Sequence, residues 1–257
     1  MTEQATDPRT GRGAAVVLGV GPGLGLAMAR RFGREGHPVA IVSRSNIRHA
    51  GYLEWLAADG TTAIAEVADV LDSEQQAAVL ARITERLGPV EVLYFGPAGM
   101  DPGDFPVPID RITGESTQRA LAIVPRAVDA VATVLPGMVA RNSGVILLPT
   151  GLSAVRPMPP LGNLALAAAA LRTYAVTLHA ALAETGIYAG SLVIGGGIKG
   201  GDIFEALAGH QVEGLAGSGL DEDRLAAMSL DPHEIADQAW QMASTRERAE
   251  LVFSVLD

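Results

Sequence analysis

The chain has 257 residues, 48 % of them hydrophobic, with 19 basic against 29 acidic side chains, a formal net charge of −10 and no cysteine. The length fits one large α/β domain or two small ones, with an ample core. The acidic balance argues against a nucleic-acid or anionic-membrane partner, and the missing cysteine excludes disulfides, thiolate zinc sites and cysteine nucleophiles.

Residues 1–12 read as a flexible polar tail with no apolar signal core, and residues 13–257 as a single domain without repeats. The longest apolar run, residues 164–171, is too short to span a bilayer. A cytoplasmic protein with no membrane partner is expected. Residues 14–20 (AAVVLGV) predict a buried strand. There follows Leu18-Gly19-Val20-Gly21-Pro22-Gly23-Leu24-Gly25, where Gly19, Gly23 and Gly25 make a G-x-x-x-G-x-G pattern. Glycines between a strand and a helix permit a tight turn. They also let backbone approach a pyrophosphate at the helix N-terminus. Residues 23–35 predict that helix, with Leu24, Ala27, Met28 and Phe32 at helical spacing.

Residues 38–43 predict a second strand, ending at Ser43-Arg44. An acid at this edge of a dinucleotide fold accepts bonds from ribose hydroxyls, whereas a basic residue favours a 2′-phosphate. Arg44 supplies a guanidinium suited to phosphate. The expected cofactor is NADP(H) rather than NAD(H). Residues 46–59 predict a helix and 61–67 a third strand, with Asp69-Val70 beyond it placed to hold an adenine. Residues 72–87 predict a helix with acids in its first turn. Residues 90–95 predict strand four, followed by Gly96-Pro97-Ala98.

Residues 113–141 predict one long helix, 145–148 a strand, 161–185 an Ala-rich helix, and 187–194 a sixth strand. Residues 232–243 predict a last helix and 251–255 a last strand. Strands alternating with helices at this spacing predict an α/β Rossmann-type fold. It is a doubly wound parallel sheet of about seven strands with helices on both faces. Residues 99–108 and 195–230 break the rhythm with Pro and Gly just past strand carboxyl ends, where open α/β sheets bind ligands. Residues 195–231 read as a variable loop for a small-molecule substrate. The Ala-rich surfaces of the two long helices predict a homodimer or homotetramer. The scattered histidines give no metal-ligand spacing.

Together these features resemble the short-chain dehydrogenase/reductase (SDR) family from Ala14 to Phe253. The resemblance rests on the glycine pattern, on Ala68-Asp69-Val70, and on Gly88-Pro89-Val90-Glu91-Val92-Leu93. It rests also on Leu135-Pro136-Gly137-Met138, Ser143-Gly144-Val145-Ile146 and Ala169-Ala170-Leu171-Arg172. It implies hydride transfer between NAD(P) and a carbonyl or alcohol. The family's Asn, Ser, Tyr and Lys would fall at about Ile123, near Thr150, and at Leu164 and Ala168. Only the hydroxyl of Thr150 survives.

The sequence has one lysine, Lys199, and four tyrosines, Tyr52, Tyr94, Tyr174 and Tyr188, none followed four residues later by lysine. The usual proton relay, in which lysine lowers the tyrosine pKa, is therefore missing. Replacement candidates are Thr150 and Asn163, able to orient a carbonyl, and Lys199, able to donate a proton or clamp an anion. Gly196 and Ile198, past strand six, are expected beside the cofactor. The leading reading is an NADP(H)-dependent oxidoreductase with a non-standard active site. The alternatives are a cyclase, isomerase or dehydratase on the same scaffold, and a cofactor-binding protein without turnover.

Overall fold

A computed structural model describes residues 11–97, 106–202, 204–205 and 227–256. The chain runs β1 (Ala14–Leu18), α1 (Leu24–Arg34), β2 (Val39–Ser43), α2 (His49–Ala58), β3 (Ala63–Val67), α3 (Ser73–Leu87) and β4 (Val90–Phe95). It continues through α4 (Gly114–Leu121), α5 (Ile123–Arg141), β5 (Gly144–Gly151), α6 (Gly162–Ala181) and β6 (Ile187–Gly195). It ends with β7 (Gly197–Ile198), β8 (Ser229–Leu230), α7 (Pro232–Thr245) and β9 (Glu250–Ser254).

Seven strands form one sheet in the order β3-β2-β1-β4-β5-β6-β9, with every neighbouring pair parallel. Successive residues of a strand point to opposite faces, and both faces here are buried. Val16, Leu18, Leu93, Phe95 and Ile146 pack with residues of α3, α5 and α6. Val17, Val92, Tyr94 and Leu147 pack with α1, α2 and α7. This two-sided burial explains why the strands are apolar throughout rather than alternating. The winding reverses between β1 and β4, so a crevice opens there at the strands' carboxyl ends.

The structure corrects several boundaries. The single helix expected over 113–141 is two, α4 and α5, meeting at Ala122. Pro125 explains the break: it lacks the N–H that would bond Leu121, four residues back, and its ring crowds that carbonyl. Thr113 caps α4 in a reciprocal capping box with Ser116. Asp72 lies just outside α3, as its N-cap, accepting from the N–H groups of Glu74 and Gln75. The Ala-rich helix stops at Ala181, and Thr185 turns back to donate to Leu182 O at 2.7 Å. The pair β7 and β8, a small parallel sheet inside the expected substrate loop, was not anticipated. Arg12, placed by the sequence in a flexible tail, is anchored: its guanidinium lies 3.1 Å from His37 Nε2 and over the Trp240 ring.

Two helical stretches, Gly114–Arg141 and Pro159–Ala181, are long and apolar enough by length and composition to cross a membrane. Counting uninterrupted apolar runs missed them because isolated polar residues punctuate both. Here they cover one face of the sheet, with Ala127, Ala130, Val131, Leu171 and Ala175 in the core.

Candidate cofactor site

The turns leaving β1 to β4 are tied to one another by backbone hydrogen bonds. Gly19 and Val20 N–H both donate to Val42 O, at 3.0 and 2.8 Å. Ala68 N–H donates to Ser43 O at 3.1 Å, and Gly96 N–H to Leu18 O at 2.9 Å. Gly19 has φ +91°, and a Cβ there would stand 2.4 Å from the backbone of Pro97. The first turn therefore needs glycine for its conformation and for the close approach of the β4 exit.

Helix α1 starts at the end of this turn. Among the described residues the N–H groups of Gly23, Leu24 and Gly25 make no hydrogen bond. Unpaired N–H groups and the positive end of the helix dipole together fit an anion such as a diphosphate.

The turns wall a cavity of about 590 Å³. Gly19, Gly23, Leu24, Gly25, Ser43, Arg44, Asp69, Val70, Gly96, Pro97, Gly196 and Ile198, all expected to hold a dinucleotide, line it together. Ala98, also expected there, lies outside the described residues. Ser43 Oγ donates to Ser45 O at 2.9 Å and lies 2.8 Å from His49 Nε2. Burial lowers the His49 pKa, so the ring stays neutral and presents its Nε2 proton to Ser43. This pair fixes the loop that carries Arg44. Asp69 Oδ1 accepts from Leu71 N–H at 2.9 Å, which holds the β3 exit in a local turn.

Sequence reasoning missed Arg48, Tyr52, Tyr94, Asp202 and Phe204, which share the cavity wall. Arg48 and Asp202 meet across it at 2.8 Å, although 154 residues separate them. No local pattern signals such a pair. Tyr94 was legible in part: strand alternation puts it on the same face as Val92, two residues before Gly96.

The three candidate catalytic residues lie elsewhere, and none lines the cavity. Thr150 Oγ1 donates to Ala168 O at 3.0 Å, tying β5 to α6. Asn163, 8 % exposed, accepts from Val107 N–H at 2.8 Å, tying the start of α6 to the segment before α4. Lys199 is exposed, and its backbone N–H donates to Leu230 O at 3.0 Å beside the β7–β8 pair. Thr150 and Asn163 thus make side-chain bonds to segments distant in sequence, which residue type and chain position alone do not reveal. Among the described residues no group of three His, Asp or Glu side chains is placed to share a metal ion.

A family profile described as short chain dehydrogenase matches residues 13–205. The chain belongs to the short-chain dehydrogenase family. A short chain dehydrogenase of Pseudocercospora fijiensis is 28 % identical over 180 residues, 67 % of this chain and 56 % of that protein. The chain thus spans only about half the length of that relative. A metagenomic short-chain oxidoreductase (SDR) solved in complex with NADP is 18 % identical, with a TM-score of 0.72 over 93 % of this chain and 95 % of that one. An actinorhodin polyketide ketoreductase variant solved with NADPH is 21 % identical, with a TM-score of 0.80 over 94 % of this chain and 95 % of that one. At these identities the likeness establishes the fold. In this member of the family Ala168, where the resemblance placed the lysine, is buried, and Leu164, where it placed the tyrosine, is half-buried.

Proposed function

We propose that the protein is an NADP(H)-dependent oxidoreductase acting on a small carbonyl or alcohol, with a non-standard active site. The observation that carries the cofactor reading is the row of unpaired N–H groups at Gly23, Leu24 and Gly25, facing a cavity whose β2 edge holds Arg44 and no acid. In this reading the glycine turn holds the diphosphate, and Arg44 faces the 2′-phosphate, aided by Arg48. Ala68, Asp69 and Val70 flank the adenine, while Gly196 and Ile198 flank the nicotinamide. The bound nicotinamide supplies or accepts a hydride at the carbonyl carbon. The chain's own contribution is to hold the two reactants in register and exclude water.

Leu164 and Ala168 support the non-standard active site, since neither side chain can donate a proton or stabilise a phenolate. The bond from Thr150 to Ala168 O engages that hydroxyl's proton as well. These same positions favour a second reading, a protein that holds the cofactor without turnover. Exposed Val128 and Val139 on α5 and Leu166 on α6 support a symmetric homo-oligomer, a dimer or tetramer.

The test is NADPH consumption by the purified full chain across a broad panel of ketones. Oxidation matched one to one by alcohol formation is the expected result. NADPH binding with no conversion of any member would favour the second reading.

A further inference from the structure

The tyrosine at the end of β4 packs its ring in the core, but its hydroxyl extends beyond that packing to the strand exit. Tyr94 pairs in register with Val17 of β1 and Leu147 of β5, and it points to the α1 face of the sheet. Its ring folds forward onto the strand exit. A Cβ on Gly96 would stand 2.4 Å from Tyr94 Cε1 and 2.5 Å from its hydroxyl oxygen. Gly96 in turn abuts the glycine turn, since a Cβ on Gly19 would meet the Gly96 carbonyl carbon at 2.7 Å. The hydroxyl thus lies over the backbone that joins the β4 exit to the turn before α1.

Tyr94 is only 3 % exposed and lines the cavity. Among the described residues its hydroxyl makes no hydrogen bond. The ring is buried, but the hydroxyl stands without a protein acceptor beside the cavity that the residue lines, and phenylalanine would fill the same packing space without a donor there. Tyr188 provides the contrast on the same sheet face. There the buried phenol donates to Arg248 O at 2.6 Å. The Tyr188 hydroxyl is thus spent on a structural bond, whereas that of Tyr94 is left for a group entering the cavity. Burial raises the Tyr94 pKa well above its ordinary value, so the group keeps its proton and has it available to donate in a hydrogen bond.

We propose that Tyr94 is a cofactor-binding residue whose hydroxyl donates a hydrogen bond to a diphosphate oxygen of the dinucleotide. The proposal rests on the cofactor reading above. A phosphate oxygen is the acceptor of choice because the unpaired N–H groups of Gly23, Leu24 and Gly25 face the same cavity.

The test is Tyr94→Phe in the full chain, titrated with NADPH, with 2′-phospho-ADP-ribose and with adenosine 2′-monophosphate, alongside thermal unfolding without ligand. The first two ligands are expected to bind about tenfold more weakly or worse, the loss typical of a hydrogen bond to a charged group. Adenosine 2′-monophosphate, which has neither bridging phosphate, is expected to bind unchanged. The unliganded variant should unfold at the same or a higher temperature, because the hydroxyl bonds to no protein group in the unliganded chain. Unchanged NADPH affinity would overturn the proposal while leaving the cofactor reading intact. Equal weakening of all three ligands, or a lower unfolding temperature, would overturn it in favour of a structural tyrosine. A wild-type chain that binds none of the three would overturn the cofactor reading itself.

Discussion

Replacing Gly19 by alanine strikes the turn on which the cofactor cradle depends. The backbone there has φ +91°, and an added Cβ would stand 2.4 Å from Pro97 N and Cα. The conformation alone costs a non-glycine residue about 1–2 kcal/mol. Displacing the Pro97 backbone, which has no flexible side chain to yield, adds about 1–3 kcal/mol. The total is about 2–5 kcal/mol against a typical stability of about 5–15 kcal/mol. At about 2–4 °C per kcal/mol for a chain approaching this size, Tm should fall by about 4–20 °C. Gly21, two residues on, is the matched control, since a Cβ there meets nothing within 4 Å and its φ is not left-handed. Gly21→Ala should stay within about 0.5 kcal/mol of the parent. Thermal unfolding followed by circular dichroism reads both variants. If Gly19→Ala melts with Gly21→Ala, the tight approach of the β1 and β4 exits is not what shapes this turn.

Other consequences can be checked separately. Burial lowers the pKa values of His37 and His49 in the folded chain. Below about pH 6.5 the unfolded chain then binds more protons than the folded one, so stability falls with falling pH until the folded values are passed. Urea unfolding at pH 8, 6.5 and 5.5 should show the denaturation midpoint dropping in that order; a rise towards pH 5.5 would contradict the burial of these rings. Asn163→Ala strips the Val107 N–H of its partner and should cost about 1–3 kcal/mol in urea unfolding while leaving NADPH affinity unchanged. Asp202→Asn breaks the exposed pair with Arg48, which should alter stability by no more than about 1 kcal/mol. Removing that carboxylate from the cavity wall should tighten NADPH binding several-fold in a titration at low salt, whereas weaker binding would mean that Asp202 itself holds the ligand.

The sequence displayed the fold and the cofactor half of the site because both depend on local patterns. Apolar strands such as 14–18 and 90–95 are readable where both sheet faces are buried, and the glycine turn advertises itself between a strand and a helix. The division of α4 from α5 was legible too, in Pro125, yet the longer apolar periodicity on either side of it masked the break. The Arg48–Asp202 contact was not legible, since it joins two loops through the tertiary fold alone. Asn163 and Thr150 carry polar groups that suit catalysis as well as they suit local bonding. Their structural partners, Val107 N–H and Ala168 O, appear only in the folded chain. Tyr94 lay between these extremes. Its strand face followed from alternation, while its unpaired hydroxyl required coordinates.

The most direct test of the cofactor reading is a fluorescence titration of the full chain with NADPH and with NADH, repeated for Arg44→Ala. NADPH is expected to bind the parent at least about tenfold more tightly than NADH, as one charge-assisted phosphate contact allows. Arg44→Ala should erase most of that preference while leaving NADH affinity unchanged. Binding of neither nucleotide, or a preference for NADH, would contradict the account.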